Sequence, residues 1–345
     1  MNIGIIGASG YGGVELHRFL ERHPHAGKCI LYTSSEEKPI YSDLYPHLTD
    51  INQEVLQNQQ NLEETDVLFI AAPSGVSAAM TPEIVIKHPN MQIIDLSGDL
   101  RLKNSEDYKK WYGKEPASQE VLVKAVYGLA DLNKESIKEA QIIANPGCYP
   151  TAALLGLAPL FHSRDIADLG SVIIDAKSGV SGAGKKAVQS SLFSEMNENF
   201  RTYKIAEHQH TPEIEQFLGS WAEDEVKITF TPHLVPMTRG IMATAYIQLK
   251  KEIGTDELLE LYREFYRSSP FVRIRKEGSY PSTKEVYGSN YCDIGLKADP
   301  RTGRLVVVSV IDNLVKGAAG QAVHNFNLMN GFEETSGLEA APIYP

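Results

Sequence analysis

The sequence predicts an α/β protein in two parts: a doubly wound parallel sheet in the first half, then an α+β domain with a mixed or antiparallel sheet. Three observations predict it. Short apolar runs alternate with amphipathic stretches through the first part of the 345-residue chain. A glycine-rich loop joins the first apolar run to the first amphipathic one. Beyond about residue 170 the apolar runs become longer and alternate residue by residue. Strands alternating with helices imply parallel pairing with helices on both faces, whereas period-two alternation implies a half-covered sheet.

Taken in order, "NIGIIG" (2–7) reads as a buried strand, and residues 11–23 as a helix with Val14, Leu16, Phe19 and Leu20 on its apolar side. Further strands are expected at "KCILYT" (28–33), "DVLFIAAP" (66–73), "MQIIDLS" (91–97) and "AQIIANP" (140–146). A helix is expected at 75–88, bent or broken at Pro82. In the second half, strands are expected at 170–179, 225–237, 241–250, 290–299 and 303–312. "TDELLELYREFYRSS" (255–269) reads as a helix with Thr255 as N-cap and two acids suited to the positive end of its dipole. Residues 314–332, the last amphipathic stretch, read as a helix whose glycines and alanines suit close packing.

Composition excludes several classes. Hydrophobic residues make up 42% and charged residues 22%, ordinary for a globular protein that buries cores in two domains. No apolar run approaches the ~20 residues of a membrane helix. The N-terminus lacks the basic segment of a secretory signal, so a cytoplasmic protein is expected. The three cysteines are far apart, which argues against disulfides and a zinc cluster, and no metal is expected. A formal net charge of −11 disfavours nucleic acid.

"IGIIGASGYGGVEL" sets Gly7, Gly10 and Gly13 between a strand and a helix. This G-x-x-G-x-x-G spacing is a variant of the Rossmann-type dinucleotide loop, in which the backbone approaches a pyrophosphate at a helix N-terminus. Ser9, Tyr11 and Gly12 belong to the same loop. After the second strand, where NAD sites usually carry an acid, the chain reads "LYTSSEEK". Ser34, Ser35 and Lys38 suit a 2′-phosphate, so NADP(H) is the expected cofactor, although Glu36 and Glu37 lie between them.

"NPGCYPTAALL" places Cys148 after a strand and before a helix, with Pro150 where a first turn tolerates it. Unpaired N–H groups there stabilise a thiolate. Lowering a thiol pKa of ~8.5 by one unit gives roughly tenfold more nucleophile for about 1.4 kcal/mol. A lone cysteine is most often a structural one; the helix start, the Pro-Gly turn and the upstream loop favour a nucleophile here. A thiolate beside a nicotinamide suits acyl reduction through a thioester. Arg101 in "SGDLRL" suits an acyl phosphate, since guanidinium binds such oxyanions in a fork, unless Asp95 or Asp99 holds it.

These residues resemble a known family. Over nearly its full length the chain is similar to the N-acetyl-γ-glutamyl-phosphate reductases of arginine biosynthesis, within the aspartate-semialdehyde dehydrogenase-like superfamily. The likeness is carried by "GIIGASGYGGVEL", "DLSGDLRL", "VYGLADLN", "NPGCYPTAALLGLAPL", "KSGVSGAGKK", "EHQHTPEI", "TPHLVPMTRGI" and "DNLVKGAAGQAVHNFN". It implies NADPH-dependent reduction of N-acetyl-γ-glutamyl phosphate to N-acetylglutamate 5-semialdehyde and phosphate, with Cys148 as nucleophile. It places the acid/base region at His208 and His210, of which His208 is favoured as proton carrier and His210 as substrate contact. Histidine suits the task because its pKa lies near working pH. His-x-His is not read as a metal pair, because no third ligand is signalled.

The aspartate-semialdehyde branch carries a Gly-His pair after its Val-Pro segment; here Ile241 follows Gly240, which supports the "EHQHTPEI" assignment. Arg239 is a candidate for the substrate carboxylate. The resemblance sets Ser178, Gly179 and Gly182 near the nicotinamide and matches Asn313 to a residue holding its carboxamide. It also returns the last helix to the first domain, giving 1–147 plus 313–345 as the NADP-binding domain and 148–312 as a catalytic and oligomerisation domain. A homodimer or homotetramer is expected. Reductases of N-acetyl-aminoadipyl or aspartyl phosphate are alternatives. A more remote one is a phosphotransferase, because "GVSGAGKK" (179–186) nearly matches a P-loop.

Overall fold

A computed structural model describes all residues, Met1–Pro345. The chain forms two compact units, Met1–Pro146 with Ala318–Leu338, and Gly147–Gly317 with Glu339–Pro345.

The first unit is built on a seven-stranded parallel sheet of β1 (Ile3–Ile6), β2 (Cys29–Thr33), β3 (Gln57–Asn58), β4 (Val67–Ile70), β5 (Gln92–Asp95), β6 (Ala125–Tyr127) and β7 (Ile142–Ala144). Their spatial order is β3-β2-β1-β4-β5-β7-β6. β1 and β4 are buried at every residue, which is why they read as unbroken apolar runs. β3 and β6 lie at the sheet's edges and are too short to show a period. Pro82 neither breaks nor ends its helix, which runs Val76–Lys87. The Gly320–Met329 helix is buried along its whole length within this unit.

In the second unit the sheet runs β12-β13-β14-β11-β8-β10-β9, with β8 (Ala167–Gly179), β9 (Arg201–Thr202), β10 (Thr229–Val235), β11 (Ile241–Leu249), β12 (Val272–Ile274), β13 (Cys292–Asp299) and β14 (Arg304–Ile311). The sheet is mixed: β8 pairs with β10 and β12 with β13 in parallel, and the other pairs are antiparallel. Parallel neighbours need a crossover. Between β8 and β10 that crossover is residues 180–228, and it contains the helix His210–Ala222.

Helix Cys148–His162 is the centre of this unit, with residues 149–161 all buried against β11, β14 and the His210–Ala222 helix. Pro159 lies inside it and has no N–H for the Leu155 carbonyl four residues back. The Tyr266 hydroxyl donates to that carbonyl instead, at 2.5 Å.

Three expectations need correction. Thr255 is not an N-cap: Gly254 takes that place, and the Thr255 hydroxyl accepts the Ala298 N–H of β13 at 3.2 Å. Residues 315–319 form a wide π turn before the last helix, and the second unit keeps the chain as far as Gly317. The tail after Leu338 also belongs to the second unit, where the Ile343 N–H donates to the Tyr287 carbonyl at 2.8 Å.

Candidate active site

The nucleotide loop leaves β1 where its two neighbours, β2 and β4, run to opposite sides of the sheet, the switch point at which open α/β sheets bind ligands. Gly7 has φ +83°, and a β-carbon on it would lie 2.4 Å from the Ala71 carbonyl. On Gly13 it would lie 2.3 Å from the Gly7 carbonyl. Gly10 is the N-cap of helix Tyr11–Leu20, and its N–H donates back to Gly7. Two tyrosines hold the loop from behind: Tyr41 donates to the Ala8 carbonyl at 3.0 Å and Tyr45 to that of Ser9 at 2.9 Å. Ser34, Ser35 and Lys38 are exposed just beyond β2. The cradle therefore fits a dinucleotide: glycines where the backbone turns tightly, a helix start, and hydroxyl and ammonium groups after the second strand.

In the second unit a cleft of about 540 Å³ is lined by Cys148, Ser178, Gly182, His208 and His210, among others. Cys148 is the first helical residue after the Gly147 N-cap, as expected, and is half-buried. The Gly147 N–H donates to the buried Glu213 carboxylate at 2.8 Å, which ties the start of this helix to the His210–Ala222 helix. Gly317 passes so close that a β-carbon there would lie 2.8 Å from the Cys148 β-carbon.

His208 is packed edge-on by Tyr149, Tyr203 and Phe230, with ring centroids 5.6, 5.4 and 5.5 Å away. Its Nδ1 accepts the His210 N–H at 3.1 Å. Burial, aided by the Lys204 charge, pulls its pKa down to about 3. Expected as the proton carrier, His208 is thus held neutral. Tyr149 donates to the His233 carbonyl at 2.9 Å. Burial raises the Tyr203 hydroxyl to about 12 and the Tyr149 hydroxyl further still, so both remain protonated. No spacing in the sequence marks Tyr149 and Tyr203, which line the cleft from different elements, or Glu213, which stands behind it against Gly147.

The remaining expected residues are placed as follows. Ser178 is buried, Gly179 passes 2.7 Å from the Thr238 carbonyl measured from its missing β-carbon, and Gly182 leaves room for the Ser178 hydroxyl. Asn313 is buried, accepts the Gly240 N–H at 2.7 Å and donates to Ser181 at 2.9 Å. Arg101 is buried in the first unit and donates to the carbonyls of Asn145 and Leu96. Arg239 faces the buried Asp312 carboxylate at 3.5 Å and the Tyr287 ring. The P-loop reading fails: after Gly179 the chain makes a single 3₁₀ turn, and no helix starts at Lys185 to receive phosphates.

Both units match described families: "Semialdehyde dehydrogenase, NAD binding domain" over residues 2–140 and "Semialdehyde dehydrogenase, dimerisation domain" over 148–313. Solved structures with the same fold include aspartate semialdehyde dehydrogenase II of Vibrio cholerae (TM-score 0.72, 17% identity, 96% of this chain and 98% of that one). Another is the NADP complex of the Candida albicans aspartate semialdehyde dehydrogenase (TM-score 0.68, 15% identity, 95% and 98%). A two-domain dehydrogenase of the semialdehyde class is what this fold and cleft define. Much higher identity links the chain to proteins named N-acetyl-gamma-glutamyl-phosphate reductase: 57% with one from Geobacillus sp. (strain WCH70) and 56% with one from Bacillus subtilis, each over the full length of both chains. The chain belongs to that family.

Proposed function

We propose that the protein reduces N-acetyl-γ-glutamyl phosphate with NADPH to N-acetylglutamate 5-semialdehyde and inorganic phosphate. The observation that carries this reading is Cys148 on the first turn of a buried helix, in one cleft with His208 and His210. The Cys148 thiolate attacks the acyl carbon, its sulfur–carbon bond forms, and phosphate leaves with the carbon–oxygen bond pair. When bound, NADPH supplies the hydride that reduces the resulting thioester. The tetrahedral oxyanion then expels the Cys148 thiolate and releases the aldehyde.

We assign the proton to His210, which takes it from the thiol before attack and returns it after release. A ring of pKa about 3 such as His208 is a poor acceptor for it, since moving a proton there from a thiol near 8.5 costs roughly 7 kcal/mol. His208 instead donates its Nε2–H toward the developing oxyanion. Arg101 keeps the phosphate role, Asn313 the carboxamide role, and Ser34, Ser35 and Lys38 the 2′-phosphate.

The second unit also serves self-association, as its dimerisation-domain match supports. The face of its sheet opposite helix Cys148–His162 exposes Ile173, Met242, Tyr246, Val306 and Val308 to different degrees. Burying them against a second copy removes apolar surface from water. No helix is long and apolar enough to cross a membrane, and we place the protein in the cytoplasm.

The test is phosphate- and NADP-dependent oxidation of N-acetylglutamate semialdehyde, run beside N-acetyl-aminoadipate and aspartate semialdehydes. The first substrate is expected to be preferred, and Cys148→Ala to abolish turnover. Wild-type-like rates in that variant would reject the thioester route, and preference for a homologue would reject the substrate.

A further inference from the structure

The wall of the Cys148 cleft is basic in a chain whose formal net charge is −11. Arg201 on β9 and Lys204 just after it both line the cleft, and no Asp or Glu does. Neither is paired with a carboxylate: Arg201 donates to the Ser190 carbonyl at 2.6 Å, and Lys204 to the Gln209 side-chain oxygen at 3.0 Å. A guanidinium has five N–H donors and an ammonium three, so most of their donor capacity is uncommitted.

The backbone of this segment is unusual as well. Glu198, Lys204 and Ala206 have φ of 58°, 46° and 58°, a left-handed conformation that residues with a β-carbon rarely adopt. Lys204 itself lines the cleft, and Glu198 and Ala206 lie on either side of the lining residues 201–204, which points to a segment shaped for its contents rather than for its own comfort. The Lys204 charge is also felt at the His208 ring, so this cation lies within electrostatic reach of the reacting groups. The other arginine considered for a carboxylate, Arg239, is already committed to the buried Asp312.

We propose that Arg201 and Lys204 form the subsite for the substrate's α-carboxylate, and so select an acylated amino acid over a simple aldehyde. This rests on the function proposed above, in which the acyl carbon sits at Cys148 and the α-carboxylate lies a few bonds away. A planar guanidinium and a point-charge ammonium hold a carboxylate by charge-assisted hydrogen bonds in a cleft partly closed to water.

Steady-state kinetics in the oxidation direction, with NADP and phosphate saturating, test it on full-length Arg201→Gln and Lys204→Gln. Two substrates are compared: N-acetylglutamate semialdehyde and 4-acetamidobutanal, which lacks only the carboxylate. Each substitution is expected to raise KM for the first by about ten- to a hundred-fold with little change in kcat. The wild-type preference for the carboxylate substrate falls by the same factor, and Arg201→Lys recovers part of it. Equal losses on both substrates, or an unchanged KM, overturn the proposal. So does a rise in the KM for phosphate alone, which would make the pair a phosphate site. Failure of the wild type to oxidise N-acetylglutamate semialdehyde would instead overturn the function on which the proposal rests.

Discussion

His208 Nδ1 accepts the backbone N–H of His210 at 3.1 Å, and this one bond decides where the imidazole carries its proton. With Nδ1 used as an acceptor, the neutral ring is the Nε2–H tautomer and offers a donor to the cleft. Nitrogen-15 NMR of histidine-labelled protein is expected to find His208 in that tautomer throughout pH 5–8. His208→Gln, which keeps an N–H donor, should retain more kcat than His208→Ala, for which a loss of about 10²–10³ is expected. His210→Gln should lose about 10²–10⁴. Equal rates for His208→Gln and His208→Ala would remove the donor role.

The same burial makes folding sensitive to acid. The ordinary histidine pKa is 6.5, and burial takes that of His208 to about 3. Between those values the unfolded chain binds a proton that the folded one refuses, so stability rises with pH and is lost as pH falls, by up to about 1.4 kcal/mol per unit. From pH 7 to 4.5 this group alone costs about 2–3 kcal/mol. His208→Phe suits the ring of Tyr149, Tyr203 and Phe230 and should flatten that part of the denaturation profile. An unchanged slope between wild type and variant would show that the ring already takes up the proton when folded.

What the sequence made legible follows from where each signal is stored. Strands buried on both faces, such as β1 and β4, announce themselves as apolar runs, and the loop at Gly7–x–x–Gly10–x–x–Gly13 carries its own spacing. Cys148 was readable because a Pro-Gly turn before a helix is local. The parallel pairing of β8 with β10 was not, since both strands look alternating and only the intervening helix, His210–Ala222, requires the crossover. Arg201 and Lys204 were invisible for a related reason. They lie in a polar stretch whose β9 is two residues long, and only folding brings them to the cysteine's cleft.

Two neighbouring glycines of the nucleotide loop should behave oppositely. A β-carbon on Gly13 meets the Gly7 carbonyl at 2.3 Å, backbone that cannot step aside. One on Gly12 finds nothing nearer than the Ala71 β-carbon at 3.8 Å. Gly12 lies in the helix, where alanine is favoured by roughly 0.5–1 kcal/mol. Gly12→Ala is therefore expected to raise the thermal midpoint of the nucleotide-free protein, and Gly13→Ala to lower it and abolish NADPH binding. Fluorescence titration with NADPH and a melting curve decide both. A Gly13→Ala protein that melts and binds as the wild type does would mean the loop is not held as closely as these distances indicate.

Tyr266 and Pro159 make the last case, because each explains the other. Pro159 deprives the Leu155 carbonyl of its helical donor, and the Tyr266 hydroxyl supplies one at 2.5 Å inside the core. Tyr266→Phe leaves that carbonyl buried without its hydroxyl donor and should cost about 1–3 kcal/mol in urea denaturation. Tyr262 offers a control: its hydroxyl donates to the Gly156 carbonyl at 2.7 Å, which the helical ladder also pairs with the Leu160 N–H. Tyr262→Phe removes only a second bond and should cost about 0.5–1.5 kcal/mol. The decisive measurement is the double variant. Pro159→Ala restores an N–H to the Leu155 carbonyl, so Tyr266→Phe should cost less in that background than in the wild type, a coupling visible in a double-mutant cycle. Strict additivity would mean that the tyrosine stabilises the helix through its ring alone.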